Sequence, residues 1–135
     1  MGFVYEATVR FAEVDPAQVM YFSRVYELAH EAFEELMTEV GHPPSAVFTH
    51  NKWGMPLVHT EADYRRPWRL GEKISIHASL AEVGEKSIAF EYSFVGDDGE
   101  PRTRVGMRHV FVSLETFEAC IPPEDVLEKL RALLS

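Results

Sequence analysis

The sequence predicts an α+β fold in which an antiparallel sheet wraps around one long central helix. Three observations carry this reading: one long stretch of helical period near the start, four later segments that alternate apolar and polar residues, and short connections between those segments.

Residues 3–12, rich in Val, Tyr, Phe and Thr, read as the first strand. From Phe22 the period changes. Phe22, Val25, Tyr26, Ala29, Phe33, Leu36, Met37 and Val40 recur at three- and four-residue intervals, with Arg24, Glu27, Glu31 and Glu35 opposite them. That spacing predicts a helix of about five turns at ~3.6 residues each, ended by Gly41 and the Pro43-Pro44 pair. Its wide apolar stripe places it deep against a sheet. Residues 57–66 then alternate as a strand, followed by strands marked by Ile74, Ile76, Ala78 and Leu80, by Ile88, Phe90, Tyr92 and Phe94, and by Val105, Met107, His109 and Phe111. The connections RRPWRLGE, EVGEK and GDDGEP are short enough for antiparallel neighbours. Residues 123–134 form a final amphipathic helix with Pro123, Glu124 and Asp125 at its start. A single hotdog domain over residues 1–135 fits this order best. A cystatin-like fold, which opens with more helix, fits second.

A chain of 135 residues, 46% apolar and 26% charged, is sized and composed for one globular core. No segment approaches the roughly 18–20 uncharged apolar residues of a membrane span, and the start lacks a basic region leading into an apolar one. The lone Cys120 has no internal disulfide partner, so a reducing cytoplasm is expected. A net charge of -9 argues against nucleic acid or anionic membrane as partner. Anionic ligands would need local basic patches, for which Arg65, Arg66 and Arg69, or Arg102, Arg104 and Arg108, are candidates; the plainer reading makes these solvated edge charges.

The stretch AEVDPAQVMYF holds the main candidate for chemistry. Asp15 reads as an N-cap and Pro16 as a first helical residue. The same physics permits a catalytic reading. A helix start carries unpaired N–H groups and partial positive charge, which keep a carboxylate ionised and also stabilise an oxyanion, the pairing that acyl transfer needs.

VRFAEVDPAQVMYFSRVYELAHEAFEELMTEVGHPP resembles the opening of the 4-hydroxybenzoyl-CoA thioesterase family, and the resemblance continues through GMPLVHTEADYRRPWRLGEKI. It covers about the first 75 residues by motif; the later strands match only in pattern. It implies an acyl-CoA thioester hydrolase with Asp15 as nucleophile or general base on water. It implies that the backbone N–H of Phe22, next to Tyr21, polarises the thioester carbonyl. CoA is then part of the substrate, and no cofactor is expected. Lys86 falls near a position where a relative contacts CoA phosphate, although Gly84 and Glu85 replace basic neighbours; Arg65 and Arg66 are further candidates for CoA, and a partner subunit's basic residues are expected to assist. Gln18 stands where family members usually have Gly, and its side chain would narrow the approach to the thioester or add a donor.

His30 lies at the edge of the helical stripe, either a boundary histidine or a polar contact at the acyl end, where the resembled enzyme has an aspartate. His59 is read on one strand face with Leu57, Glu61 and Asp63, either facing solvent or contacting the acyl group; the two acids are expected to be solvated or paired with Arg65. HEAFE and PLVH resemble the branch that hydrolyses 1,4-dihydroxy-2-naphthoyl-CoA, which implies a bulky aromatic acyl group. The six histidines show no zinc-site spacing, and His42, His50, His77 and His109 receive no role. The competing readings are a short- or medium-chain aliphatic acyl-CoA thioesterase, a hotdog hydratase, and a non-catalytic acyl-CoA-binding module. Exposed sheet edges imply a homodimer or homotetramer.

Overall fold

The computed structural model describes residues 2–48 and 52–134, so His50 lies outside the described residues. Strand β1 (Phe3–Thr8) is followed by a short 3-10 turn (Phe11–Glu13), helix α1 (Arg24–Glu39) and a second 3-10 turn (Pro44–Phe48). Strands β2 (Trp53–Gly54), β3 (Leu57–Tyr64), β4 (Lys73–Val83), β5 (Ser87–Val95), β6 (Pro101–Val110) and β7 (Val112–Ser113) come next, then helix α2 (Glu124–Leu134). Five strands form one antiparallel sheet in the order β1-β4-β5-β6-β3, while β2 and β7 form a separate pair.

The core lies between the sheet and α1. Val25, Leu28, Ala29, Ala32, Leu36 and Met37 form the buried stripe of α1. They meet the alternate residues Ile74 and Ile76 of β4, Phe90, Tyr92 and Phe94 of β5, and Val105 and Met107 of β6. The helix therefore sits where its period predicts, with its polar face outward. Its C-terminus closes as predicted at Gly41: φ there is +93°, the His42 N–H donates to Met37 O at 2.8 Å and the Gly41 N–H to Thr38 O at 3.0 Å. This is a Schellman cap, which satisfies carbonyls the helix leaves free. Helix α2 packs on β4 and buries Val126, Leu130 and Leu134. No helix among the described residues is long and apolar enough to cross a membrane.

Three expectations about the strands and helix starts need correction. The first strand ends at Thr8 because residues 11–13 turn as a 3-10 helix. Helix α1 begins at Arg24, two residues later than the period suggests, because Phe22 and Ser23 form a turn. In β3 a bulge between Leu57 and His59 breaks the alternation: Leu57 opposes the core residue His109, whereas His59, Glu61 and Asp63 oppose Arg108, Gly106 and Arg104 on the outer face. One extra residue reverses the face of everything before it.

His109, read from sequence without a role, is 1% exposed. Its Nδ1 lies 2.9 Å from Met55 O, which identifies that nitrogen as the protonated one, and its ring stacks on Phe33 at 4.5 Å between centroids. Burial pushes its pKa below the ordinary value, more than the Met55 carbonyl raises it. As pH falls through ~6.5, the unfolded chain takes up a proton at this residue that the folded chain refuses, so stability declines on acidification at up to about 1.4 kcal/mol per pH unit from this group. Denaturant titrations at pH 7 and pH 5 should therefore show a smaller loss in His109→Phe than in the parent protein. Equal losses would show that His109 is not the responsible group.

Candidate active site

Residues 13–23 form a ribbon that doubles back between β1 and α1. Val14 and Met20 pair across it, the Asp15 N–H donates to Val19 O at 3.0 Å, and the Gln18 N–H donates to Asp15 O at 2.8 Å. Asp15 is thus at the tip of a tight turn, not at the N-cap of α1. The cap position is Ser23, which makes no side-chain cap bond. Asp followed by Pro suits the first two positions of a tight turn as well as it suits a helix start. Here the pairing of residues 14 and 20 decides for the turn.

The Asp15 carboxylate is held at one oxygen only: Oδ1 accepts the Ala17 N–H at 2.9 Å, and Oδ2 has no hydrogen-bond partner among the described residues. Gln18, at φ +69°, is in the left-handed region. A three-residue loop closes well when its last residue takes that conformation, a position where glycine is favoured. This accounts for the expectation of Gly at this position and gives Gln18 a backbone strain of ~1 kcal/mol. Gln18→Gly should therefore raise Tm by about 2 °C, part of the relieved strain being offset by the freer unfolded chain. A calorimetric Tm at or below that of the parent would refute the strain assignment.

The root of the ribbon is tied down on both sides. The Met20 N–H donates to Trp68 O at 2.7 Å, and the Tyr21 N–H donates to Glu13 O at 2.9 Å. Buried Glu13 accepts the Arg10 N–H at 2.8 Å and pairs at 3.0 Å with Arg24, the first residue of α1. The Tyr64 hydroxyl donates to Phe22 O at 2.6 Å. After these bonds are counted, the N–H groups of Phe22 and Ser23 have no acceptor among the described residues. A free carboxylate oxygen and free backbone donors thus occur on one short segment, a combination able to activate water and stabilise an oxyanion.

Two cavities flank the ribbon. One, of about 520 Å³, is lined by Phe11, Val14, Asp15, Pro16, Gln18, Arg69 and Leu70. The other, of about 280 Å³, is more apolar; Phe22, Val25, Tyr64 and Trp68 line it, with Arg65 and Arg66. The structure therefore joins Asp15 to Gln18 and Phe22 to Arg65 and Arg66. Tyr21 is half-exposed beside Phe22, with ring centroids 4.9 Å apart. Sequence reasoning missed Phe11, Leu70 and Tyr64 as site residues. Phe11 is 81% exposed, and with the exposed Leu70 it gives this cavity wall an uncovered apolar patch.

Other candidates lie apart from Asp15 within one chain. Lys86 is on the β4–β5 turn, at the far end of the 11-residue β4 from the ribbon, a strand length of roughly 36 Å. His59 is on the outer face, its Nε2 2.9 Å from Glu61 Oε1. His30 is exposed at the edge of α1, 3.4 Å from Glu34 and 5.3 Å between ring centroids from Phe33. Glu61 and Asp63 pair with Arg104 at 2.8 and 3.7 Å, not with Arg65, because β6 and not the following turn lies opposite them. Arg104 also meets Glu91 at 2.7 Å, and Arg108 pairs with Glu82. Arg102 is no solvated edge charge. It is 8% exposed, lies over the Trp68 ring at 4.4 Å, and bonds both Glu72 oxygens at 3.1 Å. Among the described residues, no group of three or more His, Cys, Asp or Glu is placed to hold a metal ion.

Comparison with known proteins agrees with this architecture. The thioesterase-like superfamily profile matches residues 9–130. The 1,4-dihydroxy-2-naphthoyl-CoA hydrolase of Gloeothece citriformis is 32% identical over 112 residues, covering 82% of this chain and 78% of its own. The crystal structure of a 1,4-dihydroxy-2-naphthoyl-CoA thioesterase from Synechocystis superposes with a TM-score of 0.89 at 21% identity, over 98% of each chain, which speaks for the fold. A gentisyl-coenzyme A thioesterase structure superposes at 0.83 with 25% identity, over 94% of this chain and 98% of its own. With its helix-wrapping sheet and its match over nearly the whole length, this chain belongs to the thioesterase-like superfamily and is a hotdog-fold thioesterase.

Proposed function

We propose that this enzyme hydrolyses a CoA thioester with an aromatic acyl group, of the 1,4-dihydroxy-2-naphthoyl or hydroxybenzoyl kind. The observation that carries the chemistry is the Asp15 carboxylate, tethered at Oδ1 and free at Oδ2, on the same ribbon as the unpaired Phe22 N–H. As general base, Asp15 takes a proton from water while the oxygen attacks the thioester carbon. The oxyanion forms against the backbone donors, collapse breaks the C–S bond, and the proton held by Asp15 passes to the departing thiolate. As nucleophile, the same oxygen attacks the carbon directly, the C–S bond breaks to release CoA thiolate, and water opens the resulting anhydride to regenerate the Asp15 carboxylate and free the acid, its proton passing to the thiolate. The naphthoyl-type preference is supported by the Gloeothece citriformis relative, a 1,4-dihydroxy-2-naphthoyl-CoA hydrolase.

Arg65, Arg66 and Lys86 are our candidates for the CoA phosphates. A homodimer or homotetramer in the cytoplasm is the working form we propose. Strand β3 supports the assembly: it is a sheet edge, and Leu57, Val58 and Tyr64 are exposed along it. Lys86 and His59 would then reach an Asp15 site only from a partner subunit. Thiol release measured on matched panels of aryl-CoA and fatty acyl-CoA tests the reading. We expect the highest kcat/KM on bicyclic or hydroxylated aryl-CoA. A preference for aliphatic chains would replace the acyl assignment, and binding without thiol release would leave a binding module.

A further inference from the structure

We infer that Tyr64 is a positioning residue for the oxyanion site: its hydroxyl orients the Phe22–Ser23 peptide so that the Ser23 N–H joins the Phe22 N–H as a second donor to the thioester oxygen. The inference rests on the thioesterase reading above and extends it to a residue and a donor that the sequence did not suggest.

The N–H groups of residues 20 and 21 are committed to Trp68 O and Glu13 O, and those of residues 22 and 23 are the next in line and have no acceptor among the described residues. Two adjacent free donors at the entry to α1 are useful only if their direction is fixed, because an oxyanion donor acts through geometry set before reaction. Rotation about the Phe22 backbone would swing the next peptide. The Tyr64 hydroxyl prevents this by donating to Phe22 O at 2.6 Å. In a trans peptide the carbonyl and the following N–H point in opposite directions, so holding Phe22 O toward Tyr64 aims the Ser23 N–H away from it. A hydrogen bond accepted by an amide oxygen also polarises that amide and strengthens its N–H as a donor.

Tyr64 is suited to this task. It ends β3, where it opposes Thr103, and Thr103 Oγ1 accepts the Trp68 Nε1–H at 3.0 Å. Trp68 O in turn holds Met20. The Tyr64 and Met20 anchors therefore come from one rigid connection on either side of Tyr21. Desolvation, with Tyr26 nearby, pushes the Tyr64 pKa up to about 12, so the hydroxyl stays a donor throughout the working range.

Tyr64→Phe removes one oxygen from a half-exposed residue and leaves the ring, so the protein should fold with Tm within a few degrees of the parent. We expect kcat on the best aryl-CoA to fall about tenfold with KM within twofold, the pattern of an interaction that matters in the transition state. The second readout is infrared difference spectroscopy of benzoyl-CoA carrying a ¹³C carbonyl, bound to Asp15→Asn to slow turnover. Its carbonyl band should lie below that of the free thioester, and adding Tyr64→Phe should move it back toward the free value. An unchanged kcat, or a lower kcat with an unmoved carbonyl band, would overturn the inference. Absence of hydrolysis by the parent protein would instead overturn the thioesterase reading, with the band position still reporting on Tyr64.

Discussion

Replacing Asp15 with Asn should lower kcat for aryl-CoA hydrolysis by about 100-fold or more, because it removes the carboxylate of the ribbon that keeps an oxygen free to act as nucleophile or base, Glu13 being bonded at both of its oxygens. The substitution is close to isosteric. The amide oxygen still accepts the Ala17 N–H that Oδ1 accepts at 2.9 Å, so the turn should persist. Tm should then stay near that of the parent, and KM should change little on the proposed mode of binding, in which other residues hold CoA and the acyl group. Steady-state thiol release and a thermal melt on the same preparation check both halves. Hydrolysis by Asp15→Asn at the parental rate would show that the carboxylate is not the reacting group. A fall in kcat matched by a collapse of Tm would show that it acts through the turn.

Arg102→Ala should give the largest loss of stability, about 3–4 kcal/mol, measured as a drop in the denaturant midpoint at unchanged slope. The guanidinium is buried against the Trp68 ring and is shared between Pro67 O at 3.3 Å and both Glu72 oxygens. Removing it uncovers the indole and leaves Glu72 without its main cation. Burial pushes the Glu72 carboxyl up, but the Arg69 N–H and then the Arg102 guanidinium outweigh this and hold it below the ordinary carboxylate value. The pair's contribution is therefore present above the ordinary carboxylate range and fades as pH falls through the folded value. The difference between parent and Arg102→Ala should narrow on acidification. A loss under 1 kcal/mol at pH 7 would mean that the site behaves as a surface pair.

The outline of the fold was legible because it rests on periodicity. Apolar residues three and four apart in α1, and two apart in β4, β5 and β6, can bury together only in those elements. What escaped has no such repeat. Asp-Pro suits a turn or a helix start equally; the pairing of Val14 with Met20 decides for the turn, and contacts far along the chain, the Met20 N–H on Trp68 O and the pairing of Val19 with Arg69, hold that pairing in place. The bulge beside Leu57 leaves no mark in an alternating pattern, so the face of Leu57 was misread while those of His59, Glu61 and Asp63 stayed together. Arg102 looked like one of three strand arginines; only the packing of β6 on the turn that follows β3 gives it Trp68 and Glu72. His109 is different, since the alternation with Val105 and Met107 already put it on the buried face. The signal at Gln18 was also present, as a residue standing where glycine was expected, and φ +69° supplies its cause.

The turn around Asp15 makes the two oxygens of its carboxylate unequal. In a free carboxylate they exchange by rotation and are chemically indistinguishable. Here one is anchored to the Ala17 N–H, so the anchor sets which oxygen faces outward and where its lone pairs lie before any substrate arrives. On the proposed mechanism the reacting atom is thereby selected by three residues of local backbone, and less of the rotational freedom of that carboxylate remains to be lost in the chemical step.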